Sequence, residues 1–208
     1  LEHYSTSKEL LREKSYWDQL EQTSIDPIPT DFITSHNRMK DSSTLSMELS
    51  ETDTALLLTD VHRAYRTEMN DILLTALGIT LKEWTSNNDI AILLEGHGRE
   101  DIMEEIDINR TIGWFTSAFP VLLPMSKVSD ISYGIKQVKE TLRKIPNKGI
   151  GYGILKYLTP EDQKLDMSFT IQPEISFNYL GQFDQEVTTA VFTISNMSRG
   201  CLVNPERN

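Results

Sequence analysis

Ile90-Ala91-Ile92-Leu93-Leu94-Glu95-Gly96-His97-Gly98-Arg99-Glu100 decides the reading of this chain. Five apolar residues run unbroken into a carboxylate, and two glycines then flank a histidine. The apolar run is long enough for a buried strand and short for a helix. A strand that is apolar at every position is expected to be covered on both faces. Glu95 then stands at the end of that strand. Gly96 and Gly98 leave the backbone free to bend beyond it. Such a bend can deliver a side chain to the mouth of a cleft; the plainer reading is a salt-bridged glutamate before a turn.

Outward from this strand, Asn87-Asn88-Asp89 reads as a turn. Before it, Met69, Ile72, Leu73, Ala76, Ile79 and Leu81 form a broad apolar stripe. That stripe predicts a deeply buried helix starting at Thr67 and closing near Trp84. An earlier helix carries Leu56, Leu57 and Val61, with Ser50 as its N-cap and Asp53 completing an approximate capping box. Thr44 to Leu49 alternates polar and apolar residues, the period of a half-buried strand. Residues 1–22 predict a helix capped by Ser7, and residues 23–43, with Pro27 and Pro29, a linker.

On the other side, Ala118 to Leu123 reads as a second core strand ended by Pro124. Ser129 is expected to cap a helix running to about Ile145, with Ile131, Ile135, Val138 and Leu142 on its stripe and Pro146 as its stop. Ile171 to Leu180 alternates as a further strand, and Val191 to Ile194 is a short one. Gly149, Gly151 and Gly153 follow a helix rather than a strand, which excludes a dinucleotide-binding loop. Arg143, Lys144, Lys148 and Lys156 form the clear basic cluster of the chain. Two readings stand for it: complementing the dipole of a helix end, or docking an acidic partner.

The 208 residues are 38% apolar and 25% charged, a globular composition. The net charge of −11 excludes a general nucleic-acid footprint. Cys201 is the single cysteine, so no internal disulfide can form and a cytoplasmic setting is the simpler expectation. No run approaches the roughly 20 apolar residues of a membrane span. The first residue is Leu, and the expectation is of a piece of a longer protein.

Three further stretches stand downstream in fixed order. They are Asn109-Arg110-Thr111-Ile112-Gly113-Trp114-Phe115-Thr116, Pro146-Asn147-Lys148-Gly149-Ile150-Gly151-Tyr152-Gly153 and Phe177-Asn178-Tyr179-Leu180-Gly181-Gln182-Phe183. Together with Glu95-Gly96-His97-Gly98-Arg99-Glu100 this set resembles the epimerization domains of nonribosomal peptide synthetases, within the condensation-domain superfamily. The resemblance implies an α/β fold like chloramphenicol acetyltransferase: two halves in a V, with a site in the tunnel between them. The chain would be the second half, a mixed sheet covered by helices. Residues 1–43 would be a junction helix and linker, and residues 44–208 the C-terminal subdomain.

The same resemblance implies inversion of an α-carbon from L to D. The substrate would be an aminoacyl or peptidyl group, thioester-linked to the 4′-phosphopantetheine of a carrier domain. Such chemistry needs a base, an acid on the opposite face and dipoles aimed at the carbonyl oxygen. Glu95 takes one acid/base position on the resemblance; no spacing rule selects it over Glu100. Asn178 and Tyr179 match the stretch lining the cleft near the pantetheine arm. Alternation along a strand lets one of them face the cleft, and Asn178 is favoured. His97, Arg99 and Arg110 are expected to support Glu95, Arg110 by pairing with Asp107 or Glu95, or in a purely structural pair. The family's His-His-x-x-x-Asp-Gly motif is absent from these 208 residues. The chain is therefore expected to be incomplete alone and to need the N-terminal half and a peptidyl carrier domain as partners. No metal and no directly bound cofactor are implied. The rival readings are half of a condensation domain, or a noncatalytic carrier-docking module.

Overall fold

In the computed structural model of the chain, residues 1–32, 38–103, 106–164 and 167–181 are described. Val191–Ile194, Cys201 and the end of the last motif lie outside them. The chain divides into two compact units, Leu1–Ile28 with Leu58–Tyr179, and Pro29–Leu57 with Leu180–Asn208.

In chain order the elements are α1 (Lys8–Arg12), α2 (Lys14–Glu21), α3 (Glu51–Tyr65), α4 (Met69–Thr85), β1 (Asp89–Gly96), β2 (Ser117–Pro124), α5 (Ile131–Arg143), α6 (Ile150–Tyr157), α7 (Glu161–Lys164) and β3 (Ile175–Phe177). The sheet order is β2-β1-β3, with β1 antiparallel to β2 and parallel to β3. The expected central strand is thus central in space as well as in sequence.

Pairing fixes which side chains share a face. Ile90, Ile92 and Leu94 lie opposite Leu123, Val121 and Phe119. All six are buried in one apolar cluster with Leu74, Leu81, Val138 and Leu155 from the helices. That face is the helix-covered one. On the reverse face Ala91 and Pro120 are buried, Leu93 and Leu122 are half-buried and Ala118 is exposed. The strand expected to be covered on both faces is thus fully buried on one and only partly on the other, and the pleat turns Glu95 to the more open face.

Trp17 shows how α2 joins the core. Its side chain is fully buried, edge-on to Tyr152 at 5.1 Å and to Phe119 at 6.3 Å. Its indole N–H donates to Glu13 Oε2 at 3.1 Å. Glu13 is where the helix expected over residues 1–22 breaks into α1 and α2, and Ser7 caps the first piece by accepting from Leu10 N–H at 3.2 Å. The buried Glu13 carboxyl also accepts from Asn147 Nδ2 at 2.7 Å. Desolvation pushes its pKa up, and the two hydrogen bonds pull against that shift.

Other expectations shift by small amounts with clear causes. Asp130, not Ser129, caps α5 by accepting from Tyr133 N–H at 2.8 Å. Ile131 stays 67% exposed, because it occupies the first turn and the stripe that packs is Ile135 and Val138. α4 starts at Met69 rather than Thr67, with Glu68 as its cap in a capping box with Asp71. In the second unit Ser50 caps α3 as expected, accepting from Asp53 N–H at 3.0 Å. Thr44–Leu49 is not a strand: it pairs with no described strand, and Leu45 and Met47 are each 88% exposed. Alternation marks a segment that can pair, but a ladder needs a partner edge. The strand expected over Ile171–Leu180 contracts to Ile175–Phe177.

The basic cluster is largely engaged. Arg143 forms a fork on the buried Asp71 carboxylate at 2.9 and 3.0 Å. Lys156 lies 5.5–5.9 Å from the rings of Tyr152, Tyr157 and Phe169. Arg143→Met leaves Asp71 buried without its cation and is expected to cost about 3 kcal/mol, read by urea unfolding. Glu13→Gln tests the second buried carboxyl. Because the folded-state pKa of Glu13 is raised, the folded chain holds a proton that the unfolded chain has lost. Its contribution therefore falls as pH rises through the folded value. The stability gap between wild type and Glu13→Gln is expected to narrow from pH 4.5 to 7.5, measured by urea midpoints at both.

Candidate functional site

The site is built at the end of β1. Because β1 and β3 run parallel, both finish at the same end of the sheet. The register pairs Leu94 with Phe177, so the next residues, Glu95 and Asn178, fall side by side on the reverse face. The contact is made: Asn178 Nδ2 donates to Glu95 Oε2 at 2.8 Å. Among the described residues Asn178 is the hydrogen-bond partner of Glu95. Tyr179 is one residue further, 37% exposed, and does not touch Glu95 through a hydrogen bond.

Beyond Glu95 the backbone turns at Gly98, whose φ is +66°. A Cβ there would sit 1.6 Å from the Phe115 carbonyl oxygen, so only glycine fits. His97 Nδ1 accepts from Arg99 N–H at 3.0 Å across this turn. A ring nitrogen that accepts carries no proton, so the neutral ring bears its proton on Nε2. That nitrogen lies 3.0 Å from Glu100 Oε1. His97 thus meets Glu100, and among the described residues it makes no hydrogen bond to Glu95.

Arg99 reaches away from Glu95. Its guanidinium donates to the carbonyls of Ile108, Thr111 and Gly113 and stacks 4.3 Å over the Phe115 ring. The planar fork suits several carbonyls at once. Arg99 therefore folds the Asn109–Thr116 stretch against the turn after Glu95. Arg110 is exposed and has no ion pair among the described residues, while Asp107 Oδ1 accepts from Asn109 N–H at 2.8 Å. The pairing expected of Arg110 with Asp107 or Glu95 is therefore not made among the described residues.

The remaining stretch joins through Lys148. Its Nζ lies 3.1 Å from Glu100 Oε2. Three residues of one short segment therefore each hold a different distant stretch: Glu95 holds Asn178, Arg99 holds 108–115, and Glu100 holds Lys148. Sequence reasoning did not find the Lys148–Glu100 pair. Its one signal was a cation inside a short Pro-Asn-Lys-Gly turn, and nothing in a linear pattern tells that it meets a carboxylate 48 residues upstream.

A family model described as Condensation domain matches residues 1–202. The chain belongs to the condensation-domain family. This condensation-family chain is 53% identical over 207 residues to tyrocidine synthase 2 of Brevibacillus parabrevis, covering 99% of the chain and 6% of that protein. It is 52% identical over 207 residues to gramicidin S synthase 1 of Brevibacillus brevis, covering 99% of the chain and 19% of that protein. The crystal structure of the epimerization domain from the third module of tyrocidine synthetase B superposes with a TM-score of 0.91 at 52% identity. It covers 99% of this chain and 46% of that one, so the chain spans under half of that structure. The mixed sheet with its helices is the chloramphenicol acetyltransferase-like fold. Among the described residues no helix is long and apolar enough to cross a membrane, and no group of His, Cys, Asp and Glu could hold a metal.

Arg99→Lys removes the fork and leaves one point charge. We expect about 1–2 kcal/mol less stability for the 108–115 segment alone. Chymotrypsin should then cut after the exposed Trp114 roughly tenfold faster, with the thermal midpoint little moved.

Proposed function

We propose that the chain is the C-terminal half of a nonribosomal peptide synthetase epimerization domain. The observation that carries this reading is the hydrogen bond from Asn178 to Glu95, which joins the first and last of the resembling stretches. Similarity to the tyrocidine synthetase B epimerization domain supports it. On this reading residues 1–43 are the junction and linker and residues 44–208 the C-terminal subdomain. The substrate is an aminoacyl or peptidyl thioester on the 4′-phosphopantetheine arm of a carrier domain. The partners are that carrier and the N-terminal half, and the setting is cytoplasmic.

The reaction breaks the α-carbon–hydrogen bond and moves its electron pair onto the thioester carbonyl. A proton then returns from the opposite face. Glu95 serves as the acid/base group on one face, and a histidine of the other half serves on the second. Asn178 occupies one carboxylate oxygen of Glu95, which orients the group and leaves Oε1 for the substrate proton. The amide of Asn178 keeps a second N–H and its carbonyl for the arm, and Tyr179 offers an exposed hydroxyl beside it. The arm's amides match these groups, which is the chemical fit that this half contributes. Neither half completes the acid/base pair alone.

The test is α-proton exchange on a carrier-bound aminoacyl thioester in deuterated water, with both halves present. Glu95→Gln is expected to lower incorporation by on the order of 10²- to 10⁴-fold. Asn178→Ala is expected to lower it roughly tenfold, the equivalent of one lost hydrogen bond. Exchange by this chain without the other half would overturn the proposed division of labour. Peptide-bond formation without exchange would make the chain part of a condensation domain. Carrier binding that ignores Glu95, with neither reaction, would make it a docking module.

A further inference from the structure

The turn that carries Lys148 is unusual in its backbone. Asn147, Lys148 and Gly149 stand in succession at φ 41°, 50° and 84°. The first two are not glycines, and side chains disfavour this left-handed region. Such strain persists where surrounding contacts over-determine the conformation, and it is enriched at functional sites. Here the contacts are identifiable. Asn147 Nδ2 donates to the buried Glu13 carboxylate at 2.7 Å. Gly149 lies against Phe119, and a Cβ on it would come within 2.2 Å of the ring. A carboxylate below the turn and an aromatic ring beside it therefore hold the residue between them in place.

We propose that Lys148 is a positioning residue for Glu95, acting through Glu100 and His97 on the turn that ends β1. Its ammonium holds one oxygen of Glu100 at 3.1 Å, and the other oxygen holds His97 Nε2 at 3.0 Å. The opposite ring nitrogen of His97 accepts from Arg99 N–H and closes the turn that starts at Gly96. Glu100 has a side chain only 14% exposed, so both of its oxygens are committed in a sheltered place. The result is a continuous path from the core carboxylate Glu13 to the residue beside Gly96. Glu95 immediately precedes that turn, so the turn's geometry sets where its carboxylate points.

A plain surface ion pair is the competing account. Lys148 has a side chain 76% exposed, so its pairing should add little to stability. The two accounts separate on that point. An ordinary surface pair changes nothing when lost. A positioning residue changes turnover while leaving the fold intact, since a misplacement far from the chemistry can cost on the order of 100-fold.

The inference rests on the epimerization reading, and the experiment keeps the two apart. It uses the intact domain, this chain with its histidine-bearing half, and a loaded carrier, with deuterium exchange as the readout. Lys148→Met is expected to lower kcat on the order of 10- to 100-fold with KM little changed. Lys148→Gly suits the positive φ, so it should match or exceed wild type in thermal stability and still lose kcat like Lys148→Met. That pattern of a sounder fold with slower turnover is not produced by a structural role. Lys148→Arg keeps a cation near Glu100 and should recover most of the rate. If Glu95→Gln abolishes exchange while Lys148→Met and Lys148→Gly turn over as wild type does, the positioning role is overturned and the epimerization reading stands. If Glu95→Gln exchanges as wild type does, that reading fails and the positioning role fails with it.

Discussion

The arrangement depends on the parallel pairing of a three-residue strand with the centre of the sheet. β3 touches β1 through Ile175, Ser176 and Phe177 alone, yet this register decides which side chain meets Glu95. A slip by one residue would exchange the faces of the strand and bring Tyr179 or Phe177 where Asn178 stands. So short a strand cannot secure its own register. The approach to it is held from outside: Glu21 of α2 accepts from the N–H groups of Thr170 and Ile171 at 2.7 and 2.9 Å. Glu174 accepts from Ile28 N–H at 2.7 Å.

Buried carboxylates recur in this role. Glu13, Glu21 and Asp71 are each at most 7% exposed, and each binds donors from elements far along the chain. Glu13 joins Trp17 to Asn147, Glu21 joins Tyr152 to residues 170–171, and Asp71 joins α4 to Arg143. A buried carboxylate is costly unless it is bonded, so each tolerates one arrangement of its neighbours and few others. The apolar cluster supplies the driving force for folding. These acids select which loop meets which helix.

The division of faces carries the functional consequence. Described helices seal the face of Ile90, Ile92 and Leu94, while Glu95 belongs to the half-open reverse face. A carboxylate locked inside the helix-covered core could not meet a large tethered substrate. One at the free end of parallel strands can, and ligands of α/β sheets are commonly met at the carboxyl ends of strands.

By itself the sequence determined the two long strands, the positions of most helices and the stretches that bear the resemblance. These are local matters: unbroken apolar runs, capping residues, glycines and Pro146 act within a few residues of themselves. The extent of β3 and the failure of Thr44–Leu49 to form a strand among the described residues were not legible, because a ladder depends on what lies alongside. What Arg99 binds was not legible for the same reason: the turn at Gly98 sends its guanidinium to the carbonyls of residues 108–113. Glu95 and Asn178 were each singled out on the resemblance, but only strand register brought them to 2.8 Å, across 83 residues of chain. The Lys148–Glu100 contact lay wholly with the tertiary structure, since it exists only where a strained turn and the end of β1 are packed against a common core.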